Sequence, residues 1–274
     1  MRLILFALLV FSASGSVADK LVLNESGYFE QPGLDVIVFS DIYPDGHQTG
    51  VTVIQHGVRV AANGDLRLEV SPGQWSPVPA GGERTVDEAG QVISQQLSYP
   101  DPKKNRTGFN PIEYPDLEFS YSVHVTPLEG NSFRVSVDLD EALPEEWIGR
   151  AGFNFELFPG HLFGKSWIMD QQAGTFAVQP NGPISERAGE WLNEPLARGS
   201  KLVIAPEEDL QRMVIEARKG TLELIDGRSN HNNGWYIVHT PIPAGATTNA
   251  IEWVITPHTV DGWVRPPVIQ VSQL

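Results

Sequence analysis

The sequence predicts an all-β fold: a large antiparallel two-sheet β-sandwich with at most two short helices. Three observations carry that prediction. Apolar and polar residues alternate with period two in about a dozen segments past residue 20, the pattern of strands that bury one face. The 26 Gly and 21 Pro among 274 residues supply turns between them. There is no βαβ rhythm and no Gly-rich turn opening a helix, so a Rossmann-type nucleotide-binding fold is excluded.

In chain order, the alternating segments are residues 34–40, 51–55, 66–70, 92–99, 117–125, 133–139 and 152–158, then 202–205, 213–217, 221–225, 235–239 and 251–256. In 117–125 (LEFSYSVHV), Leu117, Phe119, Tyr121, Val123 and Val125 face one way; Glu118, Ser120, Ser122 and His124 face the other. One buried face and one wet face is the signature of an antiparallel strand. Residues 141–148 and 185–197 are expected to hold two or three helical turns each, the second limited by Pro195. The Pro-rich stretch 99–115 reads as a long surface loop.

Composition excludes several classes of function. A hydrophobic fraction of 41% with 9% aromatics supports a real core, so global disorder is ruled out. Thirty-four Asp+Glu against 19 Lys+Arg give a net charge of −15 with no basic run. A nucleic-acid surface needs clustered cations, so none is expected, and an anionic membrane is disfavoured for the same reason. Without Cys the chain has no disulfide, no thiolate nucleophile and no Cys-ligated metal. Seven scattered His residues show no H-E-x-x-H or similar spacing, so no metal or cofactor is expected.

Residues 1–18 read as a secretory signal peptide. Arg2 forms the charged n-region, residues 3–11 (LILFALLVF) the apolar h-region, and Ser16-Val17-Ala18 a small-residue cleavage site. Nine apolar residues are too few to span a bilayer, which takes about 20. The mature chain is therefore expected in the periplasm or outside the cell, with one sandwich over 19–265 and a linker from 266 to 274.

Several motifs add a resemblance. Residues 23–29 (LNESGYF), 53–61 (VIQHGVRVA), 149–159 (GRAGFNFELFP), 164–170 (GKSWIMD), 226–238 (DGRSNHNNGWYIV) and 251–267 (IEWVITPHTVDGWVRPP) run through most of the chain. Together they resemble the N-terminal module of large secreted bacterial glycoside hydrolase family 9 (cellulase-like) enzymes. The resemblance implies that an immunoglobulin-like domain and a helical catalytic toroid follow as partners, with a β-glucan-type polysaccharide or oligosaccharide as substrate. It also implies that residues 272–274 stand where the next module opens, so that the chain is part of a longer enzyme. The family's acidic D-A-G-D or D-G-G-D motif is absent, so no catalytic residue carries over. The expected role is a non-catalytic accessory module, either scaffold or glycan-binding surface. The alternative is a stand-alone mutarotase-like sugar-binding protein or sugar epimerase. The strand number and the PIPAG turn at 241–245 agree with a mutarotase-like supersandwich.

A glycosidase needs two carboxylates about 5–10 Å apart. The adjacent acids Glu145-Glu146 and Glu207-Glu208-Asp209 each follow a Pro and read as solvated turn charges. A mutarotase needs a His acid and a Glu base; His161 or His231 with Glu156 or Glu252 are the candidates. Sugar recognition uses flat rings with polar side chains around them. The mixtures of that kind are Trp167 with Asp170, Trp191 with Glu190 and Asn193, and Trp235 with Asp226, Arg228, His231 and Asn233. The candidate glycan-binding set is therefore Trp167, Asp170, Trp191, Asp226, Arg228 and His231. Trp235 and Trp253 alternate within strand patterns and are expected in the core, whereas Trp191 sits among polar residues and is expected to be exposed. Trp263 is expected to pack between modules.

Overall fold

The computed structural model describes residues 20–40, 50–69, 76–99, 117–187, 190–229 and 233–266. They form twenty strands. β1 (Val22–Leu23), β2 (Phe29–Gln31), β3 (Leu34–Val38), β4 (Val51–Gln55) and β5 (Val58–Leu68) come first. β6 (Ala80–Asp87), β7 (Val92–Tyr99), β8 (Phe119–Pro127), β9 (Phe133–Leu139) and β10 (Ala151–Leu157) follow. Then come β11 (Ser166–Met169), β12 (Gln172–Thr175), β13 (Ile184–Arg187), β14 (Glu190–Asn193) and β15 (Ala197–Gly199). The last are β16 (Lys201–Ile204), β17 (Met213–Lys219), β18 (Leu222–Asp226), β19 (Tyr236–Pro241) and β20 (Ile251–Pro257).

Eighteen of them make two antiparallel nine-stranded sheets, a β-sandwich as the alternation predicts. The first sheet has the order β1-β2-β3-β4-β5-β10-β19-β18-β15, the second β12-β11-β16-β17-β20-β9-β8-β7-β6. β13 and β14 pair only with each other. Among the described residues no helix is long and apolar enough to cross a membrane.

The core lies between the inner faces of the two sheets. Val36, Val53, Leu66, Phe153 and Phe155 of the first sheet and Tyr121, Val135, Ile215, Trp253 and Ile255 of the second are essentially inaccessible. Trp253 spans the gap. Its ring meets Phe153 edge-on at 5.0 Å between centroids, and its indole N–H donates to Thr240 Oγ1 at 3.1 Å. A buried Trp needs both contacts, apolar around the ring and a partner for the N–H.

Two expectations about helices are corrected. Residues 141–148 hold only a single 3-10 turn, Glu145–Trp147, with both acids exposed. The described part of 185–197 is extended rather than helical: β13 and β14 form a ladder in the register Ile184↔Asn193 and Glu186↔Trp191 before β15 begins. Pro183 and Pro195 bracket the segment, and the Ser185 hydroxyl, a residue type that could cap a helix, instead donates to Glu194 Oε1 at 2.7 Å. The signal-peptide reading, the loop at 100–115 and the linker at 267–274 fall outside the described residues.

Candidate functional site

Of the six residues singled out by sequence, four serve the fold itself. Asp226 ends β18 fully buried, and Arg228 beside it has a side chain only 8% exposed. The guanidinium grips the carboxylate twice, Nε to Oδ1 at 2.8 Å and Nη2 to Oδ2 at 2.8 Å. It donates further to the carbonyls of Ala177 and Val178 and to the Tyr236 hydroxyl, and lies 4.3 Å from the Tyr236 ring centroid. Asp226 Oδ2 also accepts from the Asn181 amide. Burial alone raises the Asp226 carboxyl, but the hydrogen bonds from Arg228 and Asn181 outweigh it and hold it below its ordinary value. The pair clips segment 177–181 onto the sheet; its bonding capacity is spent on the protein, not on hydroxyls of a ligand.

Trp167 is 6% exposed and lies flat on Gly174, where a Cβ would overlap the ring. It offers no face for stacking. Asp170 is exposed in the left-handed turn between β11 and β12, at φ 50°. It accepts from the amides of Ser200 and Lys201 at 2.8 and 3.0 Å. These bonds, Ser200 first, hold its carboxyl below the usual range and make it a turn-fixing residue. His231 lies outside the described residues. The sixth, Trp191, is exposed as expected, at 70%.

The other candidates are also dispersed. Glu156 is buried with Arg67 and Asn63, which donate to Oε1 at 3.3 Å and Oε2 at 2.6 Å. His161 is exposed on a 3-10 turn, and Glu252 lies on the second sheet, so no His–Glu pair of the expected kind forms among the described residues. Glu208 pairs with Lys165 at 2.8 Å, and Glu207 accepts from the Ser166 amide at 2.7 Å. Trp253 is core; Trp235 is partly buried, edge-on to Phe158 at 6.5 Å. Trp263 sits on His56 at 5.6 Å between centroids.

What the fold does assemble is a groove of about 280 Å3 on the outer face of the first sheet. Its floor comes from three adjacent strands. Tyr236, Val238 and Thr240 of β19 point into the core, so Ile237, His239 and Pro241 point outward. Asn154 of β10 and Glu223 and Ile225 of β18 do the same. The pairing brings Asn154 opposite His239, His239 opposite Glu223, and Glu223 opposite Arg198. Directly opposed residues share a face, so the four form one row across four strands. Residues 192–195, leaving β14, make a wall, and Glu69 lies at the far side.

The electrostatics of this row are specific. His239 Nδ1 meets Asn154 Oδ1 in a short contact. An amide oxygen only accepts, so Nδ1 carries the proton and Nε2 keeps its lone pair. Burial pulls the imidazole down to about 4, against the opposing charge of Glu223. The ring lies over Gly152, where a Cβ would run into Cε1; only glycine leaves room. Burial pushes the Glu69 carboxyl up, the charge of Glu223 adds to the rise, and Arg150 opposes it. Glu223 Oε1 accepts from Arg198 Nε at 2.7 Å.

A second cluster lies on the outer face of the other sheet. Ser94 Oγ lies 2.7 Å from His124 Nδ1, and His124 Nε2 lies 3.4 Å from Asp138 Oδ2. A Ser nucleophile also needs oxyanion donors. β7, β8 and β9 are each paired on both sides, so their amides are committed to the ladders and the cluster has none.

A scan against models of known protein families and a search of curated proteins both return no match.

Proposed function

We propose that the chain is a non-catalytic accessory module of an exported, family 9-like polysaccharide hydrolase, and that it holds a β-glucan-type chain. Trp191 carries this reading. It is an aromatic 70% exposed on a hairpin strand, two residues before Asn193, which lines the polar groove. Trp191 is not itself a lining residue, but it adjoins Leu192 and Asn193, which are, and on this reading its ring forms the edge of the groove. An open ring next to hydrogen-bonding side chains is the arrangement that sugar recognition uses. The enzyme context rests on the motifs that resemble that family, and the missing D-A-G-D string agrees with a non-catalytic role. Affinity electrophoresis in soluble β-glucans tests the reading: the wild type is retarded, and Trp191→Ala runs freely. Unretarded wild type in every glucan leaves only the scaffold role.

One observation favours a second reading, a mutarotase. Glu69, a carboxyl of raised pKa, and His239, a neutral imidazole, line one groove; on this reading the roles are the reverse of those expected from sequence, the carboxyl acting as acid and the imidazole as base. Polarimetry on fresh α-glucose and α-galactose decides it. Acceleration over buffer that disappears in Glu69→Gln supports the mutarotase; no acceleration removes it.

A further inference from the structure

We propose that the row Asn154–His239–Glu223–Arg198 is a hydroxyl-reading floor, and that the groove takes an uncharged pyranose chain while rejecting an acidic one. This rests on the glycan-binding reading above and specifies which side chains do the binding and which glycans qualify.

The first argument is spatial. Neighbouring strands lie about 4.8 Å apart, so four residues in register reach about 14 Å across the sheet. That is a track rather than a point, and it is straight because each member is the direct cross-strand partner of the next. β10, β19 and β18 are interior strands paired on both sides, which makes the floor rigid and its spacing fixed before any ligand arrives. Preorganised polar groups avoid the ordering cost of binding.

The second argument is chemical. A sugar hydroxyl both donates and accepts, so a floor that reads hydroxyls must mix acceptors with donors. His239 offers the Nε2 lone pair, since its proton is held at Nδ1 by Asn154. Glu223 uses Oε1 for Arg198, and no described residue donates to its Oε2. Asn154 supplies amide N–H groups beside the imidazole, and Arg198 supplies guanidinium N–H groups at the other end. Acceptors therefore occupy the middle of the row, with donors at either end. A protonated, doubly donating imidazole would break this pattern; burial against the sheet keeps the ring neutral.

The third argument is selectivity. Glu69, Glu194 and Glu223 line the groove against Arg198, and Arg198 is already paired with both Glu223 and Glu194. A uronate or carboxymethylated sugar would bring a further negative charge into this set, which like-charge repulsion opposes. Trp191 contributes stacking to either kind of chain, so the floor does the discriminating.

The experiment uses the whole chain in affinity gels containing hydroxyethylcellulose or, separately, carboxymethylcellulose. The expected result is retardation of the wild type in the neutral polymer and at least about tenfold weaker retardation in the charged one, the loss that about 1.4 kcal/mol brings. His239→Phe removes the acceptor and is expected to weaken retardation by hydroxyethylcellulose by roughly fivefold or more, as losing one hydrogen bond does. Glu223→Gln is conservative and partly exposed, so it remains informative if His239→Phe fails to fold by near-UV circular dichroism; the same loss is expected. If Trp191→Ala abolishes retardation but folded His239→Phe or Glu223→Gln binds as wild type does, the floor is refuted and the glycan-binding reading stands. Equal retardation in both polymers refutes the selectivity. Wild type unretarded in both polymers removes both the reading and this inference.

Discussion

Asp65→Asn is expected to change how stability depends on pH. Asp65 is 4% exposed, accepts the Tyr121 hydroxyl at 2.9 Å and its neighbour Leu66 amide at 2.7 Å, and faces the charge of Arg67. Burial outweighs all three and pushes the carboxyl from 3.8 to about 7. Between those values the folded chain binds more protons than the unfolded one, so stability falls as pH rises through this window. Roughly three pKa units at 1.36 kcal/mol each amount to about 4 kcal/mol lost by pH 7. His239 works in the opposite direction. Its folded value of about 4 lies below the ordinary 6.5, so the unfolded chain binds more protons between the two. Its contribution therefore rises with pH by about 3 kcal/mol over that window. In the wild type the two slopes nearly cancel. The amide introduced by Asp65→Asn still accepts from Tyr121 but cannot ionise, which removes the falling slope and exposes the rising one. Urea unfolding followed by Trp fluorescence from about pH 4 to 8, the span that brackets both groups, reads this directly. The difference between variant and wild type should grow by several kcal/mol toward the variant as pH rises, then level off above about 7. A difference constant across the range refutes the reasoning; effects of the remaining carboxylates are common to both proteins and drop out of it.

Three further outcomes follow from particular contacts. Arg228→Ala leaves Asp226 buried without its partner and unclips segment 177–181, so a loss of about 3–5 kcal/mol and faster amide exchange at 177–181 are expected; unchanged exchange there would contradict the clip. Trp253→Ala empties the contact with Phe153 and removes the indole donor to Thr240 Oγ1, and should lower stability by about 3–5 kcal/mol in chemical denaturation. Purified residues 19–274 should release no reducing sugar from cellulose or mixed-linkage glucan; release that vanishes in Glu69→Gln or Glu223→Gln would show that these two groove carboxylates act as a hydrolytic pair.

The fold was legible because the core faces are local signals. In 117–125 each inward residue is apolar and each outward one polar, and β8 runs as expected within two residues of either end. Where local regularity breaks, the alternation predicts too short a strand. The described strand residues of the 66–70 segment, 66–68, are the end of an eleven-residue strand, Val58–Leu68, whose first half was hidden by Asn63 at φ 55° and by register shifts against β4. Such a bulge inverts the alternation that reveals a strand. The site was less legible for a different reason. Asn154 and His239 are 85 residues apart, and nothing in either segment says that β10 pairs with β19. Polar residues close together in sequence give the visible signal instead: Asp226 and Arg228 are near neighbours in the chain, yet their closeness serves a buried clip that forms only once 177–181 folds over them. Trp191 was recoverable because Glu190, Asn193 and Glu194 lie close by in the chain, and polar neighbours are local information.

The contrast between the two outer faces shows why one of them makes a groove. Across the second sheet the opposed residues Ser94, His124, Ser136 and Glu252 also form a polar row, and Ser94 and His124 within it are hydrogen-bonded. Polarity in register is therefore not sufficient. On the first sheet Gly152 leaves a gap in the adjacent row, between Arg67 and Pro241, and the His239 ring lies down into it. The chain leaving β14 then raises residues 192–195 as a wall. A missing side chain makes the depth and a returning loop makes the side. Refilling the gap should thus remove the groove: Gly152→Ala drives a methyl into His239 Cε1 and to 2.6 Å from the Thr240 carbonyl oxygen, so the ring must swing upright and β19 must give locally at Thr240. The expected outcome is a folded protein that loses glycan retardation, with the His239 ring resonances shifted in NMR spectra. Retention of full retardation with the ring displaced would mean that the depth contributes nothing, and that Trp191 alone holds the chain.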